Sequence, residues 1–107
     1  MTDHLVVFIT APSPEVGEQI AGALLTQKLA ACVNIVPAIH SLYWWQGNQQ
    51  RDTEALLVVK TTAAVFADKL IPAVKAVHPY DVPEIIALPI VMGSPGYLDW
   101  IDAEVTG

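Results

Sequence analysis

The chain has 107 residues, of which 53% are hydrophobic and 15% are charged, and its formal net charge is −6. This length predicts a single domain over residues 1–107, and the negative charge argues against nucleic acid or an anionic membrane as a partner. The charged fraction lies below the roughly 25% of an average soluble domain, so we expect more apolar surface than a small monomer hides easily, and therefore self-association.

The N-terminal part of the sequence predicts a strand followed by a helix. Leu5 to Ile9 form a short apolar run rich in β-branched residues, which is typical of a central strand. Ser13 offers an N-cap oxygen and Pro14 suits the first helical position. The apolar spacing that follows predicts a helix that runs to about Ala30.

A long hairpin is predicted next. The chain is β-branched and aromatic from Cys32 to Trp45, and Pro37 inside this run predicts a bulge or an edge position. The polar, glycine-containing connector at 46–50 predicts a turn, with 52–61 as the second arm of the hairpin. The two adjacent tryptophans at the end of the first arm point to opposite faces, so at most one is expected to join the core.

The C-terminal half predicts a helix, a strand and a short helix. Thr62 can cap a second helix, which should stop before His78 because proline follows, and Pro72 should kink or divide it. Glu84 to Val91 is predicted to be an edge strand because it contains a proline. Ser94, again followed by proline, can begin a short terminal helix.

The order of these elements predicts an α+β fold. It corresponds to a ferredoxin-like β-α-β-β-α-β sandwich with a long β-hairpin and a short C-terminal helix. Helices are expected on one face of an antiparallel sheet, which leaves the other face to be buried by a neighbouring subunit.

The sequence also indicates the cellular compartment of the protein. No apolar run approaches the roughly 18 residues that a membrane-spanning helix needs. The N-terminus carries an acid where a secretory signal has basic residues, and the lone cysteine, Cys32, excludes an intrachain disulfide. We therefore expect a cytoplasmic protein with no membrane partner.

The segment from His78 to Glu84 brings an imidazole, a phenol and two carboxylates into seven residues. Pro79 and Pro83 restrict its backbone, and rigid placement of polar groups suits a binding site. The alternative is a plain connector, in which His78 interacts with the end of a helix and Tyr80 packs as a lid.

Other candidate residues lie on the strands. Glu54 and Lys60 share one face of the predicted strand but lie six residues apart, roughly 20 Å, so they cannot pair within one chain. They are either solvated charges or the lining of a cleft at a subunit boundary. Cys32 is better explained as a small buried side chain than as a nucleophile. No spacing is typical of an intrachain metal site, so a metal would have to be shared between subunits.

Six motifs, taken together and in order, resemble the CutA family. They are distributed over nearly the whole chain and follow one order, which makes the combination far more specific than any one of them. They are TAP at 10–12, LAACVNI at 29–35, SLYWWQG at 41–47, LLVVKT at 56–61, HPYDVPEI at 78–85 and YLDWI at 97–101.

The resemblance implies a cytoplasmic homotrimer, similar to the PII signalling proteins, with a role in divalent-cation tolerance. It implies no established reaction, so we expect a protein that is not an enzyme. It also implies copper(II) or another divalent cation as a ligand, none of them obligatory, with His78 and Cys32 as metal ligands. The motifs place a ligand-binding cleft between subunits, lined by Trp45, Glu54, Lys60, Tyr80 and Glu84.

Two positions depart from the family pattern. Some members have a cysteine before the TAP motif and a second histidine before HPY, where this chain has Ile9 and Val77. Soft-metal binding would then depend on Cys32. Two other functions stay open. One is a small-molecule-binding protein or enzyme, with Lys60 as anion anchor, Tyr80 as hydrogen-bond donor and Glu84 as base. The other is a protein that docks an unknown partner through its hairpin.

Overall fold

The computed structural model describes residues 3–107, which form a four-stranded antiparallel sheet and four α-helices. The strand order is β2-β3-β1-β4, so the last strand lies at an edge as expected. The predicted α+β class and order of elements are confirmed. The strands are β1 (His4–Ala11), β2 (Cys32–Trp45), β3 (Asn48–Thr62) and β4 (Ile85–Pro89), and the helices are α1 (Pro14–Thr26), α2 (Ala63–Val65), α3 (Ile71–Val77) and α4 (Pro95–Glu104).

The hydrophobic core lies between the helices and one face of the sheet. Ile9 of β1 and Leu57 of β3 are fully buried there, together with Leu24 of α1 and Val74 of α3. Helix α1 approaches β3 closely because Gly17 has no side chain: a Cβ atom at that position would lie 3.1 Å from Leu57 Cδ1. Within residues 3–107, no helix combines the length and apolar character needed to cross a membrane.

The other face of the sheet, here called the open face, carries apolar side chains that alternate with the core positions. Its central residues are partly buried, and the two on the edge strand, Ile86 and Leu88, are 52% and 51% exposed. Burial of this face by a neighbouring subunit stays a prediction. The apolar residues of the open face include Val6, Phe8, Val36, Ile39, Leu56, Val58, Ile86 and Leu88.

The expected bulge in β2 is confirmed beside Pro37. Val36 pairs with Leu56, whereas Ile39 pairs with Glu54, so three steps along β2 oppose two along β3. One extra residue changes the face on which every later side chain of β2 lies, because side chains alternate along a strand. Beyond the bulge, the odd-numbered residues of β2 therefore point to the open face.

The hairpin turn is tighter than predicted. Trp45 pairs directly with Asn48, so the connector is two residues long and the expected connector at 46–50 is wrong. Gln46 and Gly47 have φ angles of 52° and 81°, the left-handed pair that a type I′ turn requires. Both tryptophans of the hairpin are exposed, which agrees with the expectation that at most one joins the core.

Helix α1 ends at Thr26 instead of continuing to about Ala30. The Leu29 N–H donates to the Leu24 carbonyl at 2.9 Å, and the Lys28 N–H donates to the Leu25 carbonyl at 3.1 Å. These are the two bonds of a Schellman motif. The left-handed position, usually glycine, is occupied here by Lys28 with φ 60°, so the sequence carried no stop signal.

The predicted second helix is divided, as Pro72 led us to expect. A π-helical segment, Phe66–Leu70, separates α2 from α3. The Ile71 N–H donates to the Phe66 carbonyl, five residues back, just before the proline that lacks a donor. Thr62 occupies the N-cap position of α2, but its side chain makes no capping hydrogen bond.

Candidate functional site

The loop after α3 is fixed to the sheet by His78. The backbone of this residue is extended, with φ −83° and ψ 132°, as the following proline requires. Its side chain is buried, and Nε2 lies 2.7 Å from the carbonyl oxygen of Thr10 in β1. The loop thereby passes the end of the sheet from the helical side toward the open face.

Tyr80 continues this loop and contacts β3. Its hydroxyl donates to Glu54 Oε2 at 2.9 Å, and its backbone N–H donates to His78 Nδ1 at 3.1 Å. The His78 and Tyr80 rings also pack together, with centroids 4.7 Å apart. Glu54 is only 8% exposed. Burial, the hydrogen bond to Glu54 and nearby negative charge all raise the pKa of Tyr80 above its usual value.

A second phenol–carboxylate pair lies next to the first. The Tyr43 hydroxyl donates to Asp52, and this bond raises the pKa of Tyr43. The charge of Asp52 also contributes to the raised pKa of Tyr80, so the two pairs form one cluster. Tyr43 was not predicted as a site residue, because its face depends on the position of the bulge, which Pro37 suggests without fixing.

The opposite end of the open face holds a different group. Cys32 pairs with Lys60 across the strands, and the Lys60 ammonium donates to the Asn34 side chain. Cys32 Sγ lies 3.7 Å from Asn34 Oδ1, and burial followed by the proximity of Cys32 raises the pKa of Tyr97 on α4. Cys32 is partly buried in the chain, less than the buried side chain that the sequence predicted.

One chain thus brings together only some of the predicted residues. Tyr80 contacts both Glu54 and His78, and the exposed Glu84 lies at the same end of the sheet, next to the first residue of β4. Trp45 and Lys60 lie six residues or more from Glu54 along the hairpin, roughly 20 Å. Across residues 3–107, no three His, Cys, Asp or Glu side chains converge as a metal site requires. The assigned roles therefore remain predictions.

The Tyr80–Glu54 bond predicts a loss of stability at alkaline pH. The raised pKa means that folded Tyr80 holds its proton more tightly than unfolded Tyr80, so its contribution is complete below the usual pKa of about 10 and declines above it. Urea denaturation between about pH 8 and pH 11 should therefore show that the wild type has a higher free energy of unfolding than Tyr80→Phe, and that this difference shrinks as pH rises. Parallel curves would contradict this, since the other two tyrosines are present in both proteins.

The family model and the most similar known proteins identify the same family. Residues 5–104 match the family described as CutA1 divalent ion tolerance protein. A divalent-cation tolerance protein CutA of Thermus thermophilus is 58% identical over 102 residues, which cover 95% of this chain and 97% of that protein. The rice chloroplastic Protein CutA 1 is 53% identical over 97 residues, which cover 91% of this chain and 54% of that protein.

The solved structures agree in fold. The periplasmic divalent cation tolerance protein CutA of Archaeoglobus fulgidus has a TM-score of 0.92 and 48% sequence identity, with 96% of this chain and 99% of that chain covered. The chain spans about half the length of the rice relative. The names of these relatives refer to chloroplast and periplasm, so the cytoplasmic location stays a prediction.

Proposed function

Because the chain belongs to the family of CutA1 divalent ion tolerance proteins, we propose that it is a cytoplasmic homotrimer that contributes to tolerance of divalent cations without catalysing a reaction. The observation that carries the proposal is the match over residues 5–104, together with 58% identity to a protein named for this function. The geometry adds a place where a ligand could act, the polar cluster of Glu54 and Tyr80 beside an apolar sheet face.

The open face supports the trimer. Its exposed edge residues, Ile86 and Leu88, belong to a continuous apolar surface with Phe8, Leu56 and Val58. A contiguous apolar surface of this kind is typical of an interface between subunits. The two charged ends of this face also differ in sign, with Asp52 and Glu54 near the hairpin and Lys60 at the far end, so neighbouring copies could complement each other.

This arrangement gives the predicted cleft a physical basis. Glu54 and Lys60 are too far apart to serve one small ligand within a chain. In a symmetric assembly, the Lys60 end of one copy can approach the Glu54, Tyr80 and Glu84 end of another. We propose that the cleft forms in this way, and that the exposed Trp45 at the hairpin tip reaches a neighbouring subunit, where tryptophan is a favoured contact.

Copper(II) or a similar divalent cation is the proposed ligand. Of the two predicted metal ligands, Cys32 offers a soft sulfur atom that is partly exposed. His78 has both ring nitrogens in hydrogen bonds and would have to break one of them to bind a metal. We therefore propose that soft-metal binding depends on Cys32, with copies from different subunits sharing the ion.

Native mass spectrometry tests both parts of the proposal in one experiment. The wild type should appear as a trimer and should bind added Cu(II). Cys32→Ser should weaken the binding by about tenfold or more, because the sulfur ligand is lost. Lys75→Ala on α3 serves as the matched control and should bind as the wild type does. A monomer at micromolar concentration would contradict the assembly, and unchanged binding by Cys32→Ser would contradict the metal site.

A further inference from the structure

The imidazole of His78 makes two hydrogen bonds, one as a donor and one as an acceptor. Nε2 lies 2.7 Å from the Thr10 carbonyl oxygen, which can only accept a hydrogen bond. Nδ1 lies 3.1 Å from the backbone nitrogen of Tyr80, whose N–H can only donate. Both bonds form in one protonation state alone, the tautomer with its proton on Nε2. A metal would need a ring nitrogen with a free lone pair, and this arrangement leaves none.

The same imidazole holds Tyr80 in three ways. It accepts the Tyr80 N–H, it packs against the phenol ring with centroids 4.7 Å apart, and its bond to Thr10 ties the loop to β1. The Tyr80 hydroxyl then reaches Glu54 on β3 at 2.9 Å. His78 is 8% exposed, so these contacts form in a buried environment where hydrogen bonds restrict motion strongly.

We infer that His78 is a positioning residue: it fixes Tyr80 so that the phenol holds the Glu54 carboxylate in one orientation at the cleft. The inference rests on the proposed function only in taking Glu54 and Tyr80 as cleft residues. A ligand that reaches this end of the sheet meets a phenol oxygen and a carboxylate, and no imidazole nitrogen. Oxygen atoms favour hydrogen-bond donors and hard cations over soft ones.

Fluorine NMR of protein labelled with 3-fluorotyrosine tests this role without any metal. The Tyr80 resonance is identified by its absence in Tyr80→Phe. In a protein that keeps His78, Glu54→Gln should shift this resonance, because the phenol contacts the carboxylate. In His78→Ala, the resonance should move toward that of an exposed fluorotyrosine and should no longer respond to Glu54→Gln. A purely structural role for His78 would leave the response intact.

His78→Asn provides the rescue. Its side-chain oxygen can replace Nδ1 as acceptor of the Tyr80 N–H, so at least half of the response to Glu54→Gln should be retained. If His78→Ala keeps both the wild-type position of the resonance and its response, the inference is overturned.

A measurement on the wild type keeps the inference testable even if a variant fails to fold. Nitrogen-15 NMR of the histidine rings should show His78 with a proton on Nε2 and none on Nδ1. The opposite tautomer would overturn the inference. Since neither experiment includes a metal, their outcome is independent of whether the chain binds divalent cations.

Discussion

Ile86→Asp is expected to convert the trimer into monomers. Ile86 is 52% exposed in the chain, so an aspartate there costs the isolated subunit little. In an assembly that covers the open face, the same carboxylate would be buried without a partner, at a cost of several kcal/mol in each subunit. Sedimentation velocity at micromolar concentration should show the loss of the trimer, and circular dichroism should show that the fold persists.

Leu25→Asp is the matched control for this substitution. Leu25 lies on α1, on the other side of the sheet, and is 43% exposed, so the control introduces the same charge at a similar apolar position. It should leave the trimer intact. A trimer that survives Ile86→Asp, or one that is lost equally in both variants, would show that the open face is not the interface.

Leu57→Ala should cause a large loss of stability within the subunit. Leu57 is fully buried on a central strand, and α1 packs onto it at Gly17, so truncation removes a contact between the helix and the sheet. Removing its three outer carbon atoms is expected to lower the free energy of unfolding by about 2–5 kcal/mol. Urea denaturation at fixed protein concentration measures this, since assembly makes the apparent stability depend on concentration.

Leu25→Ala gives the comparison for the core substitution. The side chain is already 43% exposed, so its truncation should cost less than about 1 kcal/mol. Similar losses in the two variants would mean that the packing between α1 and β3 contributes less than its burial indicates.

Local signals predicted much of the fold. Pro37 indicated the bulge, Pro72 indicated the divided helix, and alternation along β3 placed Glu54 and Lys60 on one face of the sheet. Each of these features depends on backbone chemistry within a few residues. The predicted end of α1 was wrong because Lys28 adopts a left-handed conformation that glycine usually occupies, and nothing near it in the sequence indicates this.

The site could be predicted only in part. The motif from His78 to Glu84 identified the loop, but the partner of His78 is a backbone carbonyl 68 residues earlier in the chain. Backbone groups carry no residue-specific signal, so sequence reasoning had no means of finding Thr10. The Tyr43–Asp52 pair was not predicted for another reason. The face on which Tyr43 lies depends on the exact position of the bulge in β2.

The bulge beside Pro37 gives β2 one residue more than its ladder with β3 requires. Deleting Ala38 would remove the extra residue and leave an unbroken ladder in which Ile39 still pairs with Glu54, so every later side chain of β2 would keep its face. Tyr43 and Trp45 would stay on the open face, and Asp52 would keep its phenol partner. In the evolution of this strand, the loss of one residue is therefore tolerable at the bulge, whereas the same loss further along β2 would turn the side chains between the bulge and the deletion to the opposite face.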